Sequence, residues 1–161
     1  MLFRSLAHLP RPFVAVLVGG YAGPHALDRE KAERLGREAS SLARSQGGSL
    51  LITTSYRTSP AATAGLLASI DVPHRIFCYR PDAGANPYFA FLALADSIVV
   101  TCDSASMLAE ACATRKPVYM FDLSRDDSAA DVSHPVTAAR WRRCRVPSSR
   151  SSSAATPVRM R

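Results

Sequence analysis

Hydrophobic and polar positions alternate along the chain in blocks that repeat a strand-then-helix order. FVAVLV, Phe13–Val18, is apolar throughout and predicts a strand buried on both faces. Gly19-Gly20 ends it, Asp28 stands at an N-cap position, and Ala32, Leu35, Ala39 and Leu42 recur at helical spacing to about Ser45. On the polar side of that helix the spacing predicts two i,i+4 pairs, Glu30–Arg34 and Glu33–Arg37. Gly47-Gly48 closes the helix. Ser49–Thr53 predicts the second strand, and Ser59-Pro60 then supplies an N-cap and a first helical residue for a helix to about Ile70. His74–Tyr79 predicts the third strand, with a helix following from Asn86-Pro87 through Ala95. Ser97–Thr101, a helix over Ser104–Ala113, and Val118–Phe121 complete the series. Strands separated by helices pair in parallel through right-handed crossovers. The expected fold is a three-layer, doubly wound α/β domain on a mostly parallel sheet.

Beyond Leu123 the pattern stops. Residues 122–161 hold eight Ser and eight Arg, with Trp141 as the lone aromatic. A segment so poor in aliphatic periodicity buries too little apolar surface to offset its ordering entropy. The expected organisation is therefore a linker-like segment over 1–12, a folded domain over 13–123, and a disordered Ser/Arg-rich tail over 124–161, with a faint helical signal around Ala138–Arg143. The tail also accounts for much of the charge. The 161-residue chain carries a net +7, yet residues 1–121 hold 12 Lys/Arg against 9 Asp/Glu, whereas residues 122–161 hold 8 Arg against 4 Asp. A basic tail without a folded, aromatic-interleaved patch argues against a nucleic-acid partner. Cys78, Cys102, Cys112 and Cys144 are widely spaced and lack metal-ligand spacing, so neither a disulfide framework nor a metal is expected. The N-terminal stretch is too short and broken for a secretory signal, and no apolar run approaches a membrane span. The expected location is cytoplasmic.

Candidate chemistry falls where the strands end. Ligands of open parallel sheets sit beyond the carboxyl ends of the strands, near helix N-termini. GGYAGPH, Gly19–His25, offers paired glycines through which backbone N–H groups reach a phosphate, or simply a tight turn needing positive φ. It lacks a GxGxxG fingerprint, and no acid closes the second strand, which argues against a Rossmann or flavodoxin-like cofactor binder. TTSYRT, Thr53–Thr58, places hydroxyls and Arg57 at a strand end, as an anion site or as an exposed loop. TCDSASMLAEA, Thr101–Ala111, carries Thr101, Asp103, Ser104 and Ser106 into a helix bearing Glu110. Its N–H groups suit a phosphate and Glu110 suits the two hydroxyls of a ribose. The competing reading is a helix capped by Asp103 with a solvated Glu110. Of the four histidines only His25 stands in such a loop, and no catalytic constellation is evident.

ADSIVVTCDSASMLAEACATRKPVYMF resembles the nucleotide-sugar segment of GT-B glycosyltransferases of the peptidoglycan type, and VLVGGYAG resembles their first strand and glycine loop. LPRPFVAVLVGG, GGSLLITTS, NPYF, LALAD and KPVY, with TCDSASMLAEACAT, together resemble the elongated-mitochondria (mitochondrial fission) family of GT-B-like proteins over about residues 9–123. That resemblance implies a nucleoside diphosphate or nucleotide sugar near Gly19, Gly20, Gly23, Thr101, Ser104 and Ser106, with Glu110 on the ribose. It places Ser55, Arg57, Asn86, Pro87 and Tyr88 close by. Two positions depart from the family: Arg115 stands where Gly is common before Lys-Pro, and Cys102 where a smaller residue is usual. The resemblance covers the donor-side half alone, beginning near the linker from an acceptor-side domain. The implied function is a nucleotide-binding half, inactive alone, because positioning and desolvation need both walls of a cleft. A non-catalytic interaction module is the alternative. Tyr21, Tyr56 and Tyr88 are expected at an exposed rim that favours a homodimer or a separate N-terminal domain.

Overall fold

The computed structural model describes residues 6–20 and 26–124, and the backbone of residues 142–143. The element order matches the predicted alternation: β1 (Phe13–Val18), α1 (Arg29–Ser45), β2 (Ser49–Thr54), α2 (Pro60–Ser69), β3 (His74–Phe77), α3 (Tyr88–Leu94), β4 (Ser97–Thr101), α4 (Ala105–Ala113) and β5 (Val118–Phe121). β1 to β5 form a parallel sheet in the order β3-β2-β1-β4-β5. A two-residue strand not expected from the sequence, β6 (Arg142–Arg143), adds antiparallel to β5, pairing Met120 with Arg142. It falls in the stretch read as tail, and the faint helical signal there is replaced by strand at these two positions. Tail residues 125–141 and 144–161 lie outside the described residues, as does the 21–25 loop.

The apolar strands alternate between two helical layers. Val14, Val16 and Val18 of β1, with Leu50 and Ile52 of β2, pack on Ala32, Leu35, Ala39 and Leu42 of α1 and Leu66 of α2. Ala15 and Leu17, with Ile98 and Val100 of β4, face Leu92 of α3 and Ala111 of α4. β1 therefore buries both faces, as a strand central in a parallel sheet must. Truncating wholly buried Leu17 to Ala would cost about 2–5 kcal/mol through lost transfer energy plus the cavity left behind.

Local chemistry sets the ends of the helices. The Asp28 side chain accepts from Lys31 N at 2.8 Å, and Gly47, at φ +68, lets Gly48 N–H turn back to Ala43 O at 2.9 Å. Ser59 caps α2 through Ala62 N at 3.1 Å. α1 and α2 approach through glycines: a Cβ at Gly65 would lie 2.6 Å from Arg29 O, so only a bare Cα fits there.

The polar face of α1 differs from its prediction. Arg34 is buried at 7% exposure, donates to Asp122 O at 2.5 Å and lies over the Phe121 ring at 4.5 Å. Glu33 is engaged by Arg29 at 2.9 Å, and Glu38 stands 4.0 Å from Arg34. The helical spacing of charge is real, but Arg34 faces the C-terminal end of β5, where its planar cation serves a carbonyl and an aromatic face.

Candidate functional site

The order β3-β2-β1-β4-β5 reverses direction between β1 and β4, and a cleft opens beyond the carboxyl ends of the strands, bounded by the segments that follow β2, β3 and β4. That cleft has a volume of about 510 Å³ and is lined by the end of β2 (Thr53–Arg57), Tyr79, Asn86, Tyr88, Phe89, and Ser104, Ser106, Met107 and Glu110 of the α4 segment. Its size suits a small molecule, and it mixes aromatic surface with a few convergent polar groups.

Eight of the residues singled out in the sequence meet here: Ser55, Tyr56, Arg57, Asn86, Tyr88, Ser104, Ser106 and Glu110. Arg57 Nη2 points to Ser104 Oγ at 3.4 Å, while its Nε is buried with no hydrogen-bond partner among the described residues. Ser55 Oγ donates to Gly19 O at 2.8 Å and accepts from Arg57 N at 3.2 Å, joining the β1 and β2 loops. Asn86 Oδ1 accepts from Tyr88 N at 3.0 Å and from Thr53 Oγ1 at 3.3 Å. Asn86 thus braces the turn entering α3 but is not its N-cap: that position is Pro87, without a side-chain cap bond, and the helix begins at Tyr88. Glu110 is not solvated alone: Tyr88 Oη donates to its Oε2 at 2.5 Å. Burial, followed by that hydrogen bond and the Glu110 charge, pushes the Tyr88 phenol well above its ordinary value. The phenol stays protonated and donating at neutral pH.

The remaining predicted residues sit beside the cleft. Gly19 N donates to Thr101 Oγ1 at 2.8 Å, so that buried hydroxyl is committed within the fold. Gly20, at φ +127, donates to Asp103 Oδ2 at 2.7 Å. Asp103 therefore does not cap α4, whose N-cap is Ser104 without a side-chain cap bond. Gly23, Tyr21 and His25 lie outside the described residues. The exposed rim differs in part from expectation. Tyr56 is 75% exposed, but Tyr88 is half-buried, and its neighbour Phe89, 72% exposed, takes the outward position. Phe89, Tyr79 and Met107 were not singled out in the sequence. Tyr79 is legible only once β3 is known to end at Phe77 and Tyr56–Tyr79 to meet edge to face, with ring centroids 6.3 Å apart.

Among the described residues no three His, Cys, Asp or Glu side chains gather where they could hold a metal ion. Cys78, Cys102 and Cys112 are half-buried thiols. Cys102 Sγ accepts from Leu123 N at 3.4 Å, so this departure from the family's smaller residue is absorbed in packing at the end of the sheet. Arg115 is the other departure: it takes φ 60 just past α4, the left-handed position that glycine occupies without strain. No described helix is long and apolar enough to cross a membrane.

Fold and cleft together define a doubly wound parallel α/β domain with a small-molecule-sized cleft at the carboxyl edge of its sheet. The chain belongs to the mitochondrial fission ELM1 family, whose pattern matches residues 2–143. The mitochondrial fission protein ELM1 of Arabidopsis thaliana is 34% identical over 118 residues, 72% of this chain and 27% of that protein. The chain thus spans about a quarter of the length of the curated relative it matches. A universal stress protein from Archaeoglobus fulgidus aligns with a TM-score of 0.43 at 16% identity, over 74% of this chain and 97% of that one.

Proposed function

We propose that the chain is the nucleotide-binding half of a GT-B glycosyltransferase-like protein, with the cleft holding the nucleoside part of a nucleotide or nucleotide sugar. The observation that carries this reading is the convergence of a guanidinium (Arg57), two hydroxyls (Ser104, Ser106) and one carboxylate (Glu110) in a single cleft walled by aromatic rings. The guanidinium and hydroxyls answer a phosphate, the carboxylate a ribose diol, and the rings a planar base. The resemblance of TCDSASMLAEACAT to nucleotide-sugar segments supports the same assignment. On this reading the folded unit spans 13–123, and the half binds without turning over, since the described cleft has one wall.

A second reading is an interaction module that keeps the fold without the ligand. Two observations favour it: the carboxylate of Asp103 lies on the glycine turn, and Tyr56 and Phe89 stand exposed at the rim. Under either reading that rim is the proposed seat of a second domain or a second copy of the chain, because it follows the carboxyl-edge loops that border the cleft.

Thermal melting with nucleoside mono- and diphosphates and nucleotide sugars separates the two. A ligand at about 100-fold over its Kd stabilises the folded state by about 2.7 kcal/mol, a readily visible rise in Tm. Arg57→Ala and Glu110→Ala should each abolish or weaken that rise and leave the unliganded Tm near its starting value. The absence of any shift with every nucleotide would promote the interaction module.

A further inference from the structure

Arg11 of LPRPF, Asp96 of LALAD and Lys116 of KPVY lie away from the cleft, and the nucleotide reading leaves them unused. In space they meet at the C-terminal end of α3. A helix ends in carbonyls that have no partner within the helix. In α3 these are answered by side-chain cations. Lys116 Nζ donates to Leu92 O at 2.6 Å and to Ala93 O at 2.7 Å, and Arg11 Nη2 donates to Leu94 O at 3.1 Å. Positive charge there also suits the negative end of the helix dipole. Arg11 holds Asp96 Oδ2 as well, at 2.9 Å, and that oxygen accepts from Phe13 N at 2.7 Å. Partial burial pushes the Lys116 amino group below its ordinary pKa, so reaching these carbonyls costs the cation part of its water. Since Arg11 shortly precedes β1 and Lys116 shortly precedes β5, the two cations fasten α3 to the amino ends of a central and an outer strand.

The other end of α3 stands in the cleft. Tyr88 and Phe89, its first two residues, line the cleft, and its N-cap, Pro87, makes no side-chain cap bond. Seven residues of helix rise about 10 Å, so the cation clamp and the cleft wall are the two ends of one short rod. A helix of this length does not hold its shape alone. Of its residues only Phe91 and Leu92 are buried, so its flanks fix its seat weakly and its ends carry the task.

We propose that Lys116 and Arg11 are positioning residues for the cleft: by holding the C-terminal carbonyls of α3 they fix, from the opposite edge of the sheet, how far Tyr88 and Phe89 reach into it. This positioning does not depend on the nucleotide reading, because it concerns the wall of the cleft whatever ligand the cleft takes. Lys116→Met keeps most of the side-chain stem and removes the donors. Fluorine NMR of the full chain labelled with 3-fluorotyrosine reads the wall directly, the Tyr88 resonance being the one missing from Tyr88→Phe. Lys116→Met should move that resonance to the position of an exposed tyrosine, as the phenol leaves Glu110. Urea unfolding gives a second reading, since substitutions at distant sites without shared partners normally add. Here Tyr88→Phe should lower the midpoint less than half as much in Lys116→Met as in the wild type. Either an unmoved Tyr88 resonance or additive midpoints would show that Lys116 merely stabilises the fold, and overturns the proposal. If Lys116→Met does not fold, Arg11→Met, at a more exposed residue, decides by the same two readings.

Discussion

Tyr88 and Glu110 meet across the cleft, the phenol donating to Oε2 at 2.5 Å and tying the first turn of α3 to the second turn of α4. Because Glu110 is the carboxylate proposed for a ribose, the phenol and a sugar diol compete for the same oxygen. Tyr88→Phe should therefore tighten a ribonucleotide several-fold while lowering stability by about 1 kcal/mol, the usual net worth of one hydrogen bond. Calorimetric affinity and urea midpoints measure both effects. A loss of affinity in Tyr88→Phe would show instead that the phenol itself touches the ligand.

The same pair sets an alkaline limit. The folded phenol is raised above its unfolded value near 10, first by burial and then by the Glu110 hydrogen bond. A raised acid binds its proton more tightly folded than unfolded, so its contribution is whole below pH 10 and declines as pH rises above it. Urea midpoints between pH 9 and 11 should fall less steeply in Tyr88→Phe than in the wild type. Parallel declines would show that Tyr88 does not titrate differently on folding.

Gly65→Ala replaces a poor helix former by the best one, yet it should destabilise. A Cβ there meets the Arg29 carbonyl at 2.6 Å, and that atom belongs to the backbone of α1 rather than to a side chain that can swing away. Overpacking of this kind costs about 1–3 kcal/mol, more than the roughly 1 kcal/mol of propensity gained. A Tm above the wild type would show that α1 and α2 separate easily.

Arg115→Gly should do the reverse. At φ 60 a side-chain-bearing residue sits in the left-handed region at a cost of about 1 kcal/mol, which glycine avoids. The variant should melt a few degrees higher, with the same urea slope. An unchanged or lower Tm would mean that the Arg115 side chain contributes contacts that offset the strain.

Two deletions separate the part of the tail that pairs with the sheet from the part beyond it. Deleting 144–161 should leave the Tm unchanged, whereas deleting 124–161 also removes β6 and uncovers the outer edge of β5. A measurable fall in Tm for the longer deletion alone would assign the stabilising contact to the region of Arg142–Arg143.

The fold was legible because its strongest signals are local. FVAVLV, the Asp28 and Ser59 caps and the paired glycines at 47–48 each act within a few residues, and β1, β4, β5 and α1 begin and end where those signals place them. The misses share a different cause. Arg34 carries a surface pattern but is drawn inward by a carbonyl and a ring about ninety positions away, and Asp103 looks like a helix cap but answers a turn 83 residues earlier. β6 owes its place to the free edge of β5, which no property of residues 142–143 announces. The cleft was legible as a set of loops, while the pairing of Tyr88 with Glu110 required knowing that the start of α3 comes within hydrogen-bond reach of α4.

β3 is the outermost strand on the opposite side, four residues long, with His74 and Arg75 exposed. An unpaired edge invites another chain to add on and propagate, and proteins blunt that hazard with short strands and charge. Any copy extending the sheet at β3 would have to strip water from a guanidinium within four residues of backbone. Short length and an exposed guanidinium thus make β3 a poor template for a further strand, and neutralising Arg75 would weaken that protection.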